Sequence, residues 1–264
     1  MREMFAAIWK YRLFVLSSIS NELRVRFLRS KLGGMWMIIH PLAQVLIFAL
    51  VLSEVLAAKL PGIDNKYAYA LYLMAGTLGW TLFAETVSRC VVLFVENANL
   101  MKKMAFPRIC LPIITAGTTL VQNILLAVAI FVVFAVLGHL PGKHALWLPI
   151  LIVVSLMLSA ALGILLGIFN VFVRDVGQVV PVVIQALFWM TPVVYSIDML
   201  PLGIRAWFQL NPLVPLITSY QNVLVFDRPP EWAGLLWLAG GALALAMLAL
   251  LVFRRASAEM VDVL

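Results

Sequence analysis

Charged side chains are scarce in this sequence. Only 12% of its 264 residues are Asp, Glu, Lys or Arg, whereas 64% are hydrophobic. A soluble domain is about half apolar and about a quarter charged. A chain of this length has no way to hide so much apolar surface from water. The composition therefore excludes a water-soluble protein and indicates an integral membrane protein.

Cysteine and histidine are also rare, with two and three residues respectively. The two cysteines, Cys90 and Cys110, do not indicate a disulfide framework. None of His40, His139 and His144 stands at the helical spacing that a pair of metal ligands requires. We therefore expect no metal site.

The sequence lacks nucleotide-binding and catalytic motifs. Its nearest approach to a phosphate-binding loop is GHLPGKH at 138–144, which is one residue short and has His144 where Ser or Thr must bind magnesium. No nucleophile elbow occurs either. We therefore expect the chain to be no enzyme and to hold no cofactor, so that a partner chain must bind any ATP and Mg²⁺.

Long apolar runs fill most of the chain. About 20 apolar residues cross the hydrocarbon core as a helix, and these runs are too long for the strands of a membrane barrel. We predict an all-α membrane domain covering 35–264. Its six transmembrane helices are predicted at 35–58, 67–95, 109–137, 145–169, 179–197 and 232–253.

Residues 1–34 are predicted to form an amphipathic helix at the cytoplasmic membrane interface. One helical face carries Trp9, Leu13, Leu16, Ser20, Leu23 and Phe27. Cations such as Lys10 and Arg24 lie elsewhere, which suits a helix at the membrane surface. A solvated arm is the alternative. Because charges interrupt the apolar residues, we expect no cleavable signal peptide.

The distribution of positive charge predicts the orientation. A net charge of +7 suggests nucleic-acid binding in a soluble chain, but in a membrane protein Lys and Arg gather in cytoplasmic loops. With six spans, the side of residues 1–34, 96–108, 170–178 and 254–264 holds fourteen of the nineteen Lys and Arg residues, counting Arg89. Both termini are therefore predicted to be cytoplasmic, with no nucleic acid as partner.

Residues 96–108 carry more chemistry than a connection between helices needs. The segment ENANLMKKMAFPR combines cations with apolar side chains, and we interpret it as a docking surface on the cytoplasmic side. A second charged feature is Glu85, four residues before Arg89 on the same helical face. An ion pair that orients the helix is the favoured interpretation of these two residues, and a proton relay is the alternative.

Two further features concern helix packing and the opposite side. Gly163 and Gly167 match the small-residue spacing at which helices approach closely, within one subunit or between two. Residues 198–230 are apolar but broken by prolines, which predicts short outer helices that act as a gate. A plain surface loop is the alternative. Within the fifth span, Phe188 and Trp189 are candidates to line a passage for sugar rings.

Four groups of motifs occur in chain order. They are LRVRFLRSKLGGMW at 23–36 with PL at 41–42; AG at 75–76 with Trp80 and Phe83, followed by ENANLMKK at 96–103 and FPR at 106–108; RDVGQ at 174–178; and TPVVY at 191–195 with LP at 200–201 and NPL at 211–213. Together they resemble the membrane subunits of type-2 ABC exporters of polysaccharides, notably the O-antigen and teichoic-acid permeases. The resemblance covers nearly the whole chain.

The resemblance implies a type V exporter fold with re-entrant outer helices. It implies a homodimer in the bacterial inner membrane, bound to two copies of a cytoplasmic ABC ATPase that carries the ATP and Mg²⁺. The implied substrate is a lipid-linked (undecaprenyl-diphosphate) polysaccharide such as O-antigen. Capsule, teichoic-acid, drug or other lipid export are alternatives within transport. An enzyme acting on lipid carriers and an ion-coupled transporter are alternatives of other classes.

Roles for individual residues follow from the motifs and the resemblance. ATPase coupling is predicted for Glu96, Asn97, Asn99, Leu100, Lys102, Lys103, Phe106, Pro107, Arg108, Arg174 and Asp175. Contact with the incoming lipid diphosphate is predicted for Arg24, Arg26 and Arg29. The predicted channel aromatics are Trp80, Phe83, Phe188, Trp189 and Tyr195, and the predicted outer gate contains Trp207, Phe208, Asn211 and Pro212.

Overall fold

The structure, a computed structural model, describes residues 9–28, 35–50, 67–103, 107–199, 201–257 and 259–263. These residues form helices joined by turns, with no strand among them. The α-helices are α1 (Arg12–Leu28), α2 (Trp36–Leu50), α3 (Ala68–Glu96), α4 (Ala98–Lys103), α5 (Cys110–Val136), α6 (Leu148–Phe172), α7 (Val176–Met190), α8 (Leu202–Gln209), α9 (Val214–Leu224), α10 (Trp232–Ala256) and α11 (Glu259–Val263). Short 3-10 helices lie at Lys143–Trp147 and Ile197–Met199.

Four helices of the described chain are long and apolar enough to cross a membrane. They are α3, α5, α6 with the 3-10 helix before it, and α10, and they correspond to the second, third, fourth and sixth predicted spans. Helices α2 and α7 are apolar but only 15 residues long, which gives about 22 Å against a hydrocarbon core of about 30 Å. The first predicted span continues beyond α2 into 51–58, which lies outside the described residues.

Helix α3 is the centre of the fold. Most of its side chains are buried, and it contacts α2, α5, α6, α7 and α9. Its closest neighbour is α6, where a Cβ added to Gly163 would lie 2.6 Å from the Cβ of Cys90. The small residues at 163 and 167 therefore serve packing within one subunit, which was one of the two interpretations that their spacing allowed.

Helix α7 ends earlier than the sequence predicts. The fifth span was expected at 179–197, but the helix covers Val176–Met190. Thr191 has an extended backbone, with φ −113° and ψ 137°, because the ring of Pro192 disfavours the helical conformation in the residue before it. The predicted C-terminal boundary is wrong for this reason, and Tyr195 lies in the turn after the helix.

Residues 198–230 contain the expected short helices, α8 and α9. Helix α8 has exposed side chains on much of its surface, whereas α9 is packed into the core against α3, α6 and α10. Tyr220, Val223 and Leu216 on α9 are fully buried. A plain surface loop is therefore the wrong interpretation of this segment.

Candidate functional site

The predicted ATPase-coupling segment contains a short helix, α4, that follows directly on α3. Asn97 stands between them, and its Nδ2 donates a hydrogen bond to the carbonyl of Leu93 at 2.8 Å. On α4 and just before it, Glu96, Asn99 and Lys102 are exposed. These side chains give the exposed side of α4 a surface of mixed charge.

The apolar side of α4 faces the protein itself. Met101 is 5% exposed and belongs to an apolar cluster that includes Phe253 and Met260, with Leu100 packed at its edge. The side chain of Lys103, and residues 104–106 with Phe106, lie outside what is described. Since Met101 is buried, the outward-facing surface of α4 consists of its polar side and part of Leu100.

Two further predicted coupling elements lie beside this cluster. Arg108, which follows Pro107, donates a hydrogen bond to the carbonyl of Ser257 at the end of α10, so it joins two parts of the subunit. Arg174 and Asp175 are exposed in the turn between α6 and α7. Their turn is held by Asn170 on α6.

Asn170 makes two hydrogen bonds, one buried and one partly buried, that sequence analysis did not identify. Its Nδ2 donates to the carbonyl of Val91 at 2.9 Å, and its Oδ1 accepts from the backbone N–H of Gly177 at 2.8 Å. This one side chain therefore fixes the turn of Arg174 and Asp175 relative to α3. A single Asn in an apolar span was the only available signal.

Helix α1 is docked on α5. A Cβ added to Gly117 on α5 would overlap the side chain of Ile19, so the two helices pack without room for even a methyl group. Val15 is also buried, whereas Trp9, Leu13 and Leu16 of the predicted apolar face are exposed. Those exposed residues suit contact with lipid.

An ion pair anchors α1 to α3. Glu22 forms a salt bridge with Arg89 and also accepts a hydrogen bond from the Thr118 hydroxyl at 3.0 Å. Sequence analysis paired Arg89 with Glu85 on the same helical face and did not identify Glu22, because Glu22 lies 67 residues from Arg89. Among the predicted diphosphate contacts, Arg24 is exposed; the side chain of Arg26 and all of Arg29 lie outside the described residues.

The predicted channel aromatics are in contact with one another. Trp80 lies with its ring centroid 5.8 Å from Phe83 and 5.4 Å from Phe188, and Phe188 is 5.5 Å from Trp189. Trp80 and Phe83 are buried, whereas Trp189 is 53% exposed. The aromatic group therefore extends from the core to the outer surface of α7.

Tyr195 links this aromatic group to the predicted outer gate. Its hydroxyl donates to the carbonyl of Trp189 at 2.8 Å, and its ring lies 6.1 Å from that of Phe208 on α8. Trp207 and Pro212 are exposed, whereas Asn211 is buried. Asn211 bonds the Thr191 hydroxyl at 2.9 Å and the carbonyl of Met190 at 3.1 Å.

Side chains from other helices donate hydrogen bonds to the backbone carbonyls of the non-helical turn after α7. Gln221 donates to the carbonyl of Pro192 at 2.8 Å, Tyr69 to that of Val194, and Tyr72 to that of Tyr195 at 3.0 Å. Non-helical backbone at membrane depth requires such partners. Specific side chains of α3 and α9 therefore stabilise the conformation of this turn.

A cavity of about 290 Å³ lies between α2, α3 and α5. We call it the polar cavity, and its lining consists of Trp36, His40, Pro41, Gln44, Trp80, Thr81, Leu82, Ala84, Glu85, Thr119, Gln122, Asn123 and Leu126. Sequence analysis did not identify Gln122 or Asn123. Within the described residues, no three His, Cys, Asp or Glu side chains are placed to hold a metal ion.

A hydrogen-bonded pair, Asp227 and His144, joins the connection between α5 and α6 to the connection between α9 and α10. Asp227 accepts hydrogen bonds from His144, from the ring Nδ1 at 2.9 Å and from the backbone N–H at 3.2 Å. These bonds hold the pKa of the Asp227 carboxyl below its usual value. The pair connects the 3-10 helix before α6 to the segment before α10.

Comparison with protein families decides the class of this protein. The family described as "ABC-2 type transporter" matches residues 15–225. The chain belongs to that family. With its apolar helices, membership identifies it as a multi-pass membrane protein and a transporter subunit rather than an enzyme, as the sequence predicted.

The ABC-2 chain is similar over nearly its full length to several characterised proteins. It is 26% identical to the O-antigen export system permease protein RfbA of Myxococcus xanthus, over 97% of this chain and 96% of that protein. It is 27% identical to RfbA of Klebsiella pneumoniae, over 91% and 92%. It is 21% identical to the polysialic acid transport protein KpsM of Escherichia coli, over 89% and 90%.

Proposed function

We propose that this chain is the membrane subunit of an ATP-driven exporter that moves a lipid-linked polysaccharide, such as O-antigen, across the bacterial inner membrane. The observation that carries the proposal is the full-length similarity to O-antigen export permeases. The similarity to KpsM, at lower identity, supports capsule export as the second candidate. Both candidates share a polysaccharide as cargo.

The proposal includes six spans, with α2 and α7 as the two shorter ones, and both termini in the cytoplasm. The charge asymmetry supports this orientation. The packing supports the placement of three of these segments on one side, because 96–108, 170–178 and 254–264 contribute to a single apolar cluster. Their buried members in that cluster are Met101, Val171 and Met260.

ATP must then be bound by a partner, since the sequence has no phosphate-binding loop. We propose that one ABC ATPase subunit docks on each copy of this chain, two in all. Its docking surface is the polar side of α4 together with the turn of Arg174 and Asp175. The exposure of Glu96, Asn99 and Lys102 supports this surface. The hydrogen bonds of Asn170 and Arg108 connect this surface to α3 and α10. A movement of the ATPase is thereby transmitted to these two helices.

We propose a homodimer with α7 at the interface between the subunits. On α7, only Val180 is buried within one subunit, and the exposed residues include Gln185. An amide side chain facing lipid is costly, so a second copy or a hydrated path suits Gln185 better. Trp189, exposed on the same helix, then faces the path of the glycan.

We test the coupling surface by reversing charge. The double variant Lys102→Glu with Lys103→Glu should lose co-purification with the cognate ATPase while inserting into the membrane normally. Lys143→Glu, an exposed lysine in the 3-10 helix before α6, is the matched control and should retain the ATPase. If the double variant retained both the ATPase and export, residues 96–108 would only connect α3 to α5.

The function itself is tested by ATP turnover of the purified complex with its ATPase. We expect a polyprenyl-diphosphate-linked glycan to stimulate turnover. Stimulation by hydrophobic drugs alone would favour a drug exporter, and turnover of a polyprenyl-linked substrate by this chain without ATPase would favour an enzyme. Loss of transport on Glu85→Gln, with no dependence on the ATPase, would favour an ion-coupled transporter.

A further inference from the structure

The wall of the polar cavity contains buried polar side chains, which the packing of apolar helices does not require. Thr119, Gln122 and Asn123 on α5 are each at most 4% exposed, yet they lie in a span that is otherwise strongly apolar. Burying polar side chains costs free energy unless hydrogen bonds compensate. The Thr119 hydroxyl is compensated within the fold, by bonds with Thr86 and with carbonyls of its own helix, so the argument for a ligand depends on the amide of Asn123.

Asn123 has an unused acceptor at this wall. Its Nδ2 donates to the carbonyl of Leu78 at 2.9 Å, which fixes the amide plane. Its Oδ1 is buried and has no hydrogen-bond partner within the part of the chain that the structure describes. A buried acceptor of this kind calls for a donor from a ligand or a water molecule.

The aromatic part of the lining is fixed in place. Trp80 is 7% exposed and is held by a tilted ring contact with Phe83 and an edge contact with Phe188, and Trp36 lines the cavity from α2. A planar apolar surface next to amide groups matches a pyranose ring, which has a CH face and a rim of hydroxyl groups. Pockets that orient a ligand commonly combine an apolar wall with a few placed polar groups.

The charge and the volume of the cavity restrict which ligands fit it. Among the described residues that line the cavity there is no Lys or Arg, and Glu85 contributes a carboxyl group, so the cavity does not suit a phosphate or diphosphate. Its volume of about 290 Å³ lies at the lower limit of small-ligand pockets, which is about 300 Å³. A single sugar ring fits that volume.

We propose that the polar cavity between α2, α3 and α5 is a saccharide subsite that takes one pyranose unit, whose hydroxyl donates to Oδ1 of Asn123 beside the ring of Trp80. The subsite rests on the proposed function, since it names where the exporter holds a sugar of its cargo. It lies within one subunit, apart from the exposed face of α7.

The test is binding of defined sugars to the full-length protein in nanodiscs that contain no glycolipid. The probes are free N-acetylglucosamine, galactose and mannose, observed by saturation-transfer NMR, and undecaprenyl-diphosphate-linked N-acetylglucosamine in an equilibrium binding assay. We expect at least one probe to saturate the wild type. Asn123→Leu should weaken that binding about tenfold, the value of one hydrogen bond of about 1.4 kcal/mol.

Two further variants keep the test decisive. Gln44→Leu changes the opposite wall on α2 and should also weaken binding, even where Asn123→Leu fails to fold. Thr115→Val removes a buried hydroxyl of α5 that does not line the cavity, and it should bind like the wild type.

The outcomes separate the possible sources of the sugar. Binding of free saccharide supports a site for any unit of the chain, and binding of only the lipid-linked probe supports a site for the sugar next to the carrier. Absence of binding by every probe, or equal binding by wild type, Asn123→Leu and Gln44→Leu, would overturn the subsite. If the cavity variants lose sugar binding but the complex exports no glycan, the proposed function fails and the subsite stands.

Discussion

At the residue scale, the turn after α7 depends on side chains that reach it from α3 and α9. Gln221, 1% exposed, donates to the carbonyl of Pro192, and Gly76 leaves the space in which they meet. A Cβ added to Gly76 would lie 2.9 Å from Nε2 of Gln221 and 3.2 Å from the carbonyl oxygen of Val193. This close approach explains the glycine at position 76.

We predict that Gln221→Leu destabilises the protein by about 1–3 kcal/mol, because the carbonyl of Pro192 loses its shorter hydrogen bond and keeps the longer one from the Tyr72 hydroxyl at 3.4 Å. The measurement is the thermal unfolding midpoint of the purified protein. Asn222→Leu, at the next position on α9 with a half-buried side chain, is the control and should change the midpoint less. Equal midpoints for wild type and Gln221→Leu would show that this hydrogen bond does not stabilise the turn.

The pair of Glu22 and Arg89 gives a second prediction at this scale. Their side chains are 31% and 19% exposed, so solvent screens the pair only in part. A double-mutant cycle with Glu22→Gln and Arg89→Gln should give a coupling free energy of about 0.5–3 kcal/mol. Additive effects of the two variants on unfolding would mean that α1 is not anchored by this pair.

These residue contacts mark the limit of what the sequence predicts. Sequence analysis named Asn211 as part of the outer gate and Tyr195 as a channel aromatic. The pairs of residues that bond each other were not predictable, because Gln221 and Pro192 lie 29 residues apart and Arg89 and Glu22 lie 67 residues apart. No local period relates positions that only the packing of helices brings together.

At the scale of elements, the polar pair of Asp227 and His144 connects two loops at one end of the helices. Asp227 has a φ of 47°, a conformation that Asn also tolerates well. Asp227→Asn therefore changes the charge without straining the backbone. The variant isolates the contribution of the carboxylate.

The pKa of Asp227 is lower in the folded protein than the ordinary value of 3.8, mainly through the hydrogen bonds from His144. Its contribution to stability is therefore complete above that value and is lost as pH falls through the lowered pKa. We predict that, from about pH 5 to about pH 3, the unfolding temperature falls more steeply for the wild type than for Asp227→Asn. Parallel curves would contradict a stabilising role for the pair.

The long helices were predicted well because their signal is local. Helices α3, α5 and α10 begin within one residue of the predicted starts at 67, 109 and 232, since each is a long apolar run with polar flanks. Helix α7 was predicted seven residues too long at its C-terminus, because hydropathy continues through TPVVY although Pro192 ends the helix. Composition does not report where the backbone changes conformation.

At the scale of the whole molecule, the exposed faces of α7 and α10 are the surfaces available for contact with a second copy or with lipid. Val182 on α7 is 69% exposed and Trp237 on α10 is 85% exposed. Both native cysteines are buried, so they do not compete for cross-linking reagents. A pair of cysteine variants therefore maps the interface directly.

We predict that Val182→Cys forms a disulfide-linked dimer in oxidised membranes, whereas Trp237→Cys forms no disulfide cross-link. Two copies of α7 that face each other across the subunit interface bring the two Val182 positions together, and α10 points to lipid. Cross-linking through Trp237→Cys alone would move the interface to α10 and contradict the proposed arrangement.

The central claim is that this subunit exports a lipid-linked glycan only together with an ATPase. The most direct measurement uses sealed vesicles that contain the reconstituted complex and a polyprenyl-diphosphate-linked oligosaccharide, with ATP supplied on the ATPase side. We predict that the oligosaccharide becomes accessible to a glycosidase on the opposite side only with ATP and the ATPase present. Accessibility that appears without ATP or without the ATPase, or a complex that hydrolyses ATP and leaves the oligosaccharide in place, would contradict the claim.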